Sequence, residues 1–385
     1  MIQKLLSFFY KWNAFEKNNG ITIVDFDLIQ KADKSAPHFI SREEVKAELI
    51  NLLNTWDKSQ VSPLYSKLEG SLYYLRALMG ETSAFSEYVS KTMGVTPTFI
   101  SKDAVVEQSE VLKNSYKKLG VNWQKNEIVN FRKSNKLSQK EIETEFTNFR
   151  DRVVPEVIHW LGLSLDVNYK VEFVDLDEYW MNWISTDETG NIVLKYNLNR
   201  RHTWIKGATE YLVFHEICAH ALQTLSWKQQ IELGKMHPLF GLITVFTCEQ
   251  FLLEGIAESL YYFYPENVFT KYGLLNVHTD HLTWMVWNNA HIMANEGKAP
   301  AEIIQYCQKY LPYWSAAEIA KGINEKTANP LGRTYQYIYG ISLYYHQLLA
   351  KKLSVEERRQ YVIDIYTHVY TPREIFQKYK ILQND

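Results

Sequence analysis

The stretch "FHEICAHALQ" (Phe214–Gln223) sets a histidine beside a glutamate, His215 and Glu216, and places a second histidine, His220, five positions after the first. Two neutral imidazoles projecting from one helical face can hold a zinc ion, with the adjacent glutamate as a base for its water. In an undistorted α-helix, positions four apart differ by about 40° around the axis, whereas positions five apart differ by about 140°. A regular helix would therefore splay the pair. One inserted residue is what a single-turn π-bulge absorbs, and such bulges gather at functional sites. The spacing thus predicts a helix from about residue 208 to residue 225, free of Gly and Pro, with a distortion at its centre. The bland alternative is a pair of hydrogen-bonded core histidines.

A catalytic zinc usually has three protein ligands. The segment "LLEGIAESL" (Leu252–Leu260) places Glu254 and Glu258 four apart in an otherwise apolar run. Two carboxylates on one face of a buried helix are costly unless they are paired or bound to a cation. One on the metal and one orienting a ligand histidine would satisfy both. By contrast, "HTDH" (His278–His281) with His291 has no glutamate placed as a base and reads as loop and helix-start residues. Cys218, inside the motif, reads as a small buried thiol.

The surroundings of these motifs are those of a globular chain. It has 385 residues, 46% hydrophobic and 22% charged, with 26 tyrosines and 11 tryptophans and a formal net charge of −2. That balance gives no global pull towards nucleic acid or an anionic membrane. Three cysteines without C-x-x-C spacing argue for reduced thiols and no disulfide framework. No apolar run is long enough to span a bilayer, and the N-terminal run is broken by Lys11 with no cleavage site after it. The expectation is a cytoplasmic protein with no nucleic-acid partner and no membrane insertion; the sequence leaves the oligomeric state open.

Helical spacing dominates residues 1–150, with capping boxes at Ser41/Glu44 and Ser138/Glu141. The texture then changes. "YKVEFVDL" (Tyr169–Leu176) and "IVLKYNLN" (Ile192–Asn199) read as strands around the turn chemistry of "STDETGN", the second as an edge strand able to pair with an extended peptide. Residues between Pro238 and Pro265 read as one buried helix or a broken pair, and the remainder as helices. The fold class expected is α+β, predominantly helical. It divides into a helical N-terminal region (1–150), a core with strands and metal-binding helices (151–265), and a helical C-terminal region completing the cleft (266–385).

The run "NIVLKYNLNRRHTWIKGATEYLVFHEICAH", followed by "EGIA", resembles the zincin-like H-E-x-x-x-H family. That family includes the microtubule-associated tyrosine carboxypeptidases and bacterial proteins with a "QEGLA" motif. "GRTYQYIYG" (Gly332–Gly340) is similar to the family's Y-x-x-G element at Tyr337 and Gly340. The resemblance covers landmarks from Ile192 to Gly340. It departs from the family at Cys218 and Ala219, where Gly and Thr are common, and at Leu253, where a glutamine usually precedes the E-G. It implies a gluzincin-like core in which His215, His220 and Glu254 bind Zn2+ and Glu216 is the base. Glu258 then has the task of orienting a ligand, and Asn197, ending the preceding strand, lies with the substrate.

The expected activity is zinc-dependent hydrolysis of a peptide or amide bond, carboxypeptidase-like, with a peptide or peptide-like substrate. Tyr337 is the candidate donor to the oxyanion, flanked by Tyr335 and Tyr339 as alternatives. Arg333 is the candidate grip for a terminal carboxylate, with Lys195, Arg200 and Arg201 as alternatives. Two other readings compete: a zinc hydrolase trimming a peptide precursor in a biosynthetic pathway, and a catalytically silent helical binding protein of the same fold.

Overall fold

The computed structural model describes residues 2–30, 38–56, 62–177, 181–199 and 204–381. The chain begins with α1 (Ile2–Lys17), the two-residue strand β1 (Phe26–Asp27), α2 (Arg42–Asn54), α3 (Pro63–Leu78) and α4 (Phe85–Met93). It continues through α5 (Lys102–Lys118), α6 (Lys125–Ser134) and α7 (Gln139–Leu161). The capping residues act where the sequence places them: Ser41 accepts from the Glu44 N–H, and Glu141 reaches back to the Ser138 N–H. α7 crosses residue 150, and its apolar face belongs to the same core as the histidine helix, so no break between elements falls at that point.

The strands β2 (Tyr169–Val174), β3 (Asn182–Thr186) and β4 (Ile192–Asn197) form a mixed sheet in the order β2-β4-β3. β4 lies parallel to β2 and antiparallel to β3. This corrects the edge-strand expectation for β4, which is the central strand; five of its six residues are buried because neighbours cover it on both sides. β2 and β3 are the strands at the sheet's two edges. Between β3 and β4, Asp187 accepts from the N–H groups of Thr189 and Asn191, and Gly190 supplies the left-handed residue of the turn (φ 80°).

After the sheet come α8 (Ala208–Leu212), a π-helical segment (Val213–Ala221) and α9 (Leu222–Glu232), in one continuous rod. Residues 238–249 are not helical as expected. They form a 3₁₀ turn (Pro238–Gly241) and the strand β5 (Leu242–Ile243), which pairs antiparallel with β1, because "LITVFT" is β-branched and aromatic. The helix of this region is α10 (Gln250–Phe263). The chain closes with α11 (Lys271–Asn295), α12 (Pro300–Tyr310), α13 (Ala316–Ala328), α14 (Pro330–Lys352), α15 (Val355–Thr367) and α16 (Pro372–Tyr379). The expected class, α+β and predominantly helical, is the class observed. Among the described residues no helix is long and apolar enough to cross a membrane.

Packing is organised around α10. It lies against the π segment on one side and α14 on the other, and α14 lies in turn on α11. The helices α1 to α3 are joined to this centre by a buried ion pair between Lys67 on α3 and Glu249, the residue capping α10. The glycines of both motifs have a packing reason. A Cβ on Gly255 of "EGIA" would come within 2.2 Å of the His346 ring of α14. One on Gly340 of "YQYIYG" would come within 2.4 Å of the Trp284 carbonyl oxygen of α11. His346 has little room to retreat, because its Nδ1 is held by the Ser342 carbonyl and its Nε2 by the Tyr361 hydroxyl, each at 2.8 Å. A Gly255→Ala variant is expected to lose about 1–3 kcal/mol of stability through overpacking, measured by urea unfolding. An unchanged midpoint would show that α10 and α14 can separate freely.

Candidate metal centre

The π segment is what aligns the histidines. Its bonds run from residue i to i+5, as from the Leu222 N–H to the Ile217 carbonyl, so residues five apart stack as residues four apart do in an α-helix. His215 and His220 accordingly share a face, their ring centroids 4.8 Å apart. α10 brings Glu254 to the same point: its Oε2 lies 3.5 Å from His220 Nε2 and 3.9 Å from His215 Nε2. Among the described residues this is the one group of three ligating atoms that gathers within 4.8 Å.

The donor set fits a zinc ion. Nitrogen and oxygen ligands about 2.0–2.1 Å from a tetrahedral centre lie roughly 3.4 Å from one another, close to the spacing found. Glu254 Oε2 is buried and has no hydrogen-bond partner, an arrangement that is costly for a carboxylate unless a cation completes it. Its other oxygen, Oε1, accepts from the Tyr335 hydroxyl at 2.6 Å. Burial and the neighbouring His220 push His215 down to about 3, so its ring is the neutral form that a metal requires. Burial raises Glu254, but the neighbouring His220 and the hydrogen bond from Tyr335 outweigh it and hold the carboxyl below its usual range.

Two further carboxylates flank this set. Glu258 places Oε1 3.7 Å from His215 Nδ1 and accepts from the Tyr211 hydroxyl through Oε2 at 2.7 Å. Tyr211 is one turn before His215 on the same rod, a placement that the sequence reading passed over although the spacing of four was visible in "YLVFH". Glu216 has one oxygen hydrogen-bonded by the Asn182 amide of β3, while its Oε2 is buried without a partner. Burial pushes Glu216 up to about 7. All these groups border a cavity of about 700 Å³ whose walls also carry Phe26, Trp183, Ile184, Trp284 and Tyr339.

Three expected site residues lie elsewhere. Tyr337 is two residues from Tyr335 on α14, about 200° round the helix. Its hydroxyl accepts from the Thr98 N–H at 2.9 Å, on the side away from the metal ligands, and it does not line the cavity. Tyr335 and Tyr339 do line it, linked hydroxyl to hydroxyl at 2.6 Å. Arg333 is committed to the Asn295 side chain at 2.8 Å and the Ser83 carbonyl at 3.0 Å, over the rings of Phe85 and Tyr88. Asn197 is buried and ties strand ends together, donating to the Leu176 carbonyl and accepting from the N–H groups of Leu176 and Asn199. Lys195 is on β4 and does not border the cavity; Arg200 and Arg201 lie outside the described residues.

The other histidines have structural partners or neighbours. His278 bonds Ser115, His281 bonds both Tyr262 and the Glu258 carbonyl, and His291 is packed between the rings of Phe85 and Tyr337. Cys218 is buried and its thiol is pushed up by burial, as expected for an inert core position.

No protein-family model and no curated protein matches the sequence. The fold is similar to the crystal structure of a protein from Colwellia psychrerythraea proposed to be a lipoprotein, with a TM-score of 0.57. The match covers 97% of this chain and 74% of that one at 14% identity. At that identity the likeness concerns the fold alone.

The raised Glu216 carboxyl makes stability depend on pH. The folded, metal-free chain holds this proton more tightly than the unfolded chain does. The associated stabilisation is therefore complete below pH about 4.5 and is lost as the pH rises through about 7. Buried histidines with lowered values act in the opposite sense, so the comparison must be made against Glu216→Gln. Relative to the parent, the metal-free variant should gain on the order of 3 kcal/mol between pH 4.5 and 7.5 in urea unfolding. A difference independent of pH would show that Glu216 is not desolvated.

Proposed function

We propose that the chain is a zinc-dependent hydrolase of peptide or peptide-like amide bonds, a zincin-like enzyme of the H-E-x-x-x-H kind. What carries the reading is Glu254 Oε2: a buried carboxylate oxygen without a protein partner, directed at two imidazole nitrogens that a π turn has aligned. His215, His220 and Glu254 would hold the ion. When bound, zinc supplies Lewis acidity for a carbonyl and lowers the pKa of a water molecule towards about 7.

The chain's own residues supply the remaining parts. Glu216 is fixed through one oxygen by Asn182 and keeps Oε2 free to take a proton from the attacking water and return it to the leaving amine. Burial raises its carboxyl above the usual range in the metal-free chain, in the direction that suits a proton carrier near neutral pH. Tyr335 is the phenol nearest to the place of a developing oxyanion, bordering both Glu254 and the cavity without a competing charge; to donate there its hydroxyl would turn from Glu254 Oε1 to the oxyanion, while Tyr339 keeps donating to it. Glu258, through His215, keeps the ligand ring in place. The edge strand β3 contributes Asn182, Trp183 and Ile184 to the cavity wall, where an extended peptide could lie along it. The carboxypeptidase element of the expectation has weaker support, because Arg333 is turned away and spent on other partners.

Glu216→Gln should keep its zinc and lose turnover on a peptide library by about 10²–10⁴-fold. Tyr335→Phe should lose about 10²–10³-fold in kcat, whereas Tyr337→Phe should change kcat little. These outcomes are read by mass-spectrometric peptide profiling beside metal analysis. Turnover retained in Glu216→Gln would sink the reading.

A further inference from the structure

A helix that passes from i→i+5 bonds back to i→i+4 bonds skips one carbonyl, because the N–H due to it has been given one residue earlier. Here the last bond of the π segment runs from the Leu222 N–H to the Ile217 carbonyl, and the same N–H also reaches Ala219. α9 begins at Leu222, and the next N–H, that of Gln223, counts back four residues to Ala219. The carbonyl passed over belongs to Cys218, three residues after His215 and two before His220. Cys218 is fully buried, and a carbonyl left unpaired there is unfavourable.

The Tyr366 hydroxyl of α15 donates to this carbonyl at 2.7 Å. Tyr366 is itself fully buried, in the last turn of a helix packed against α9. The contact is reciprocal. Ile365, beside it, carries one of the carbonyls that the end of α15 leaves without an intrahelical partner. That carbonyl accepts from Gln223 Nε2 at 3.1 Å and from Trp227 Nε1 at 3.0 Å. Each helix supplies the donor that the other lacks.

In a regular helix the Cys218 carbonyl would have a different donor. With i→i+4 bonds the Leu222 N–H would reach it, and His215 and His220 would stand about 140° apart. Two registers therefore compete for one acceptor. The α register pairs it from within the helix and splays the ligands. The π register aligns the ligands and depends on a donor from outside. Any bias between the two passes into metal affinity, since only the aligned form offers both imidazoles to one ion.

We propose that Tyr366 is a positioning residue of the metal centre: by pairing the Cys218 carbonyl, its hydroxyl holds the helix in the register that aligns His215 with His220. This rests on the metal centre of the hydrolase reading and adds to it a residue outside the cavity wall.

The test is the zinc affinity of the full chain, measured by competition with a chromophoric chelator, beside urea unfolding of the metal-free protein. Tyr366→Phe removes the donor and keeps the ring, and it should bind zinc about ten- to a hundredfold more weakly. Replacing Tyr366 with 4-aminophenylalanine puts a donor back at the same place and should restore the affinity. Gln223→Met removes a bond from the same helix contact without touching the Cys218 carbonyl. It should unfold more easily than the parent yet bind zinc as tightly.

A folded Tyr366→Phe protein with the parent's zinc affinity overturns the proposal. So does a Gln223→Met protein weakened as much, because the loss would then be one of general packing. If Tyr366→Phe does not fold, the 4-aminophenylalanine protein decides: parental affinity sustains the proposal, and weakened binding or failure to fold overturns it. Zinc held equally well with and without the hydroxyl leaves the metal centre standing and removes only the role of Tyr366. A parent that binds no zinc removes both.

Discussion

One residue too many in a single helical turn governs the arrangement of this protein. An α-helix accommodates His215 and His220 on different faces, and no rearrangement of side chains alone could return them to a common point. The chain resolves this through a π segment across Val213–Ala221, continuous with α-helix on both sides. The cost of that distortion is met by burial, since every residue of the segment is buried, and by α7 and α10 packed against it. A tight bulge held in a core is a rigid one, and a metal site needs its ligands fixed more than it needs them close.

The remainder of the structure serves that turn. α10 delivers Glu254 to the two imidazoles only because Gly255 lets α14 approach without a Cβ between them, with the His346 ring in the space. α14 in turn carries Tyr335 and Tyr339, and its rotation about its own axis is set by Gly340 against the Trp284 carbonyl. The same rotation that sends Tyr335 to Glu254 sends Tyr337 to Thr98. The buried Lys67–Glu249 pair fixes the start of α10 against α3, and so ties the N-terminal helices to the helix bearing the carboxylate ligand.

How much of this the sequence disclosed depended on range. The histidine spacing, the distortion it demanded and the carboxylates of "LLEGIAESL" are local patterns along one or two helices, and each was legible because 3.6 residues per turn converts spacing into direction. Sheet order is not local. β4 read as an edge because its partner β3, "NWIST", has no clean alternation of polar and apolar residues, so the hairpin's first strand went unseen. Arg333 was plausible as a carboxylate grip until its partners, Asn295 and Ser83, were brought in from distant parts of the chain. Asp25, far from every motif, reaches the cavity only through the pairing of β1 with β5 and left no signal in the sequence.

The central claim is that the π turn and α10 together form a metal centre. Metal content by mass spectrometry on untagged protein, beside a folded His215→Ala/His220→Ala variant, tests it most directly. The account predicts about one zinc per chain in the parent and none in the variant. No zinc in either protein, even after incubation with the ion, would contradict it.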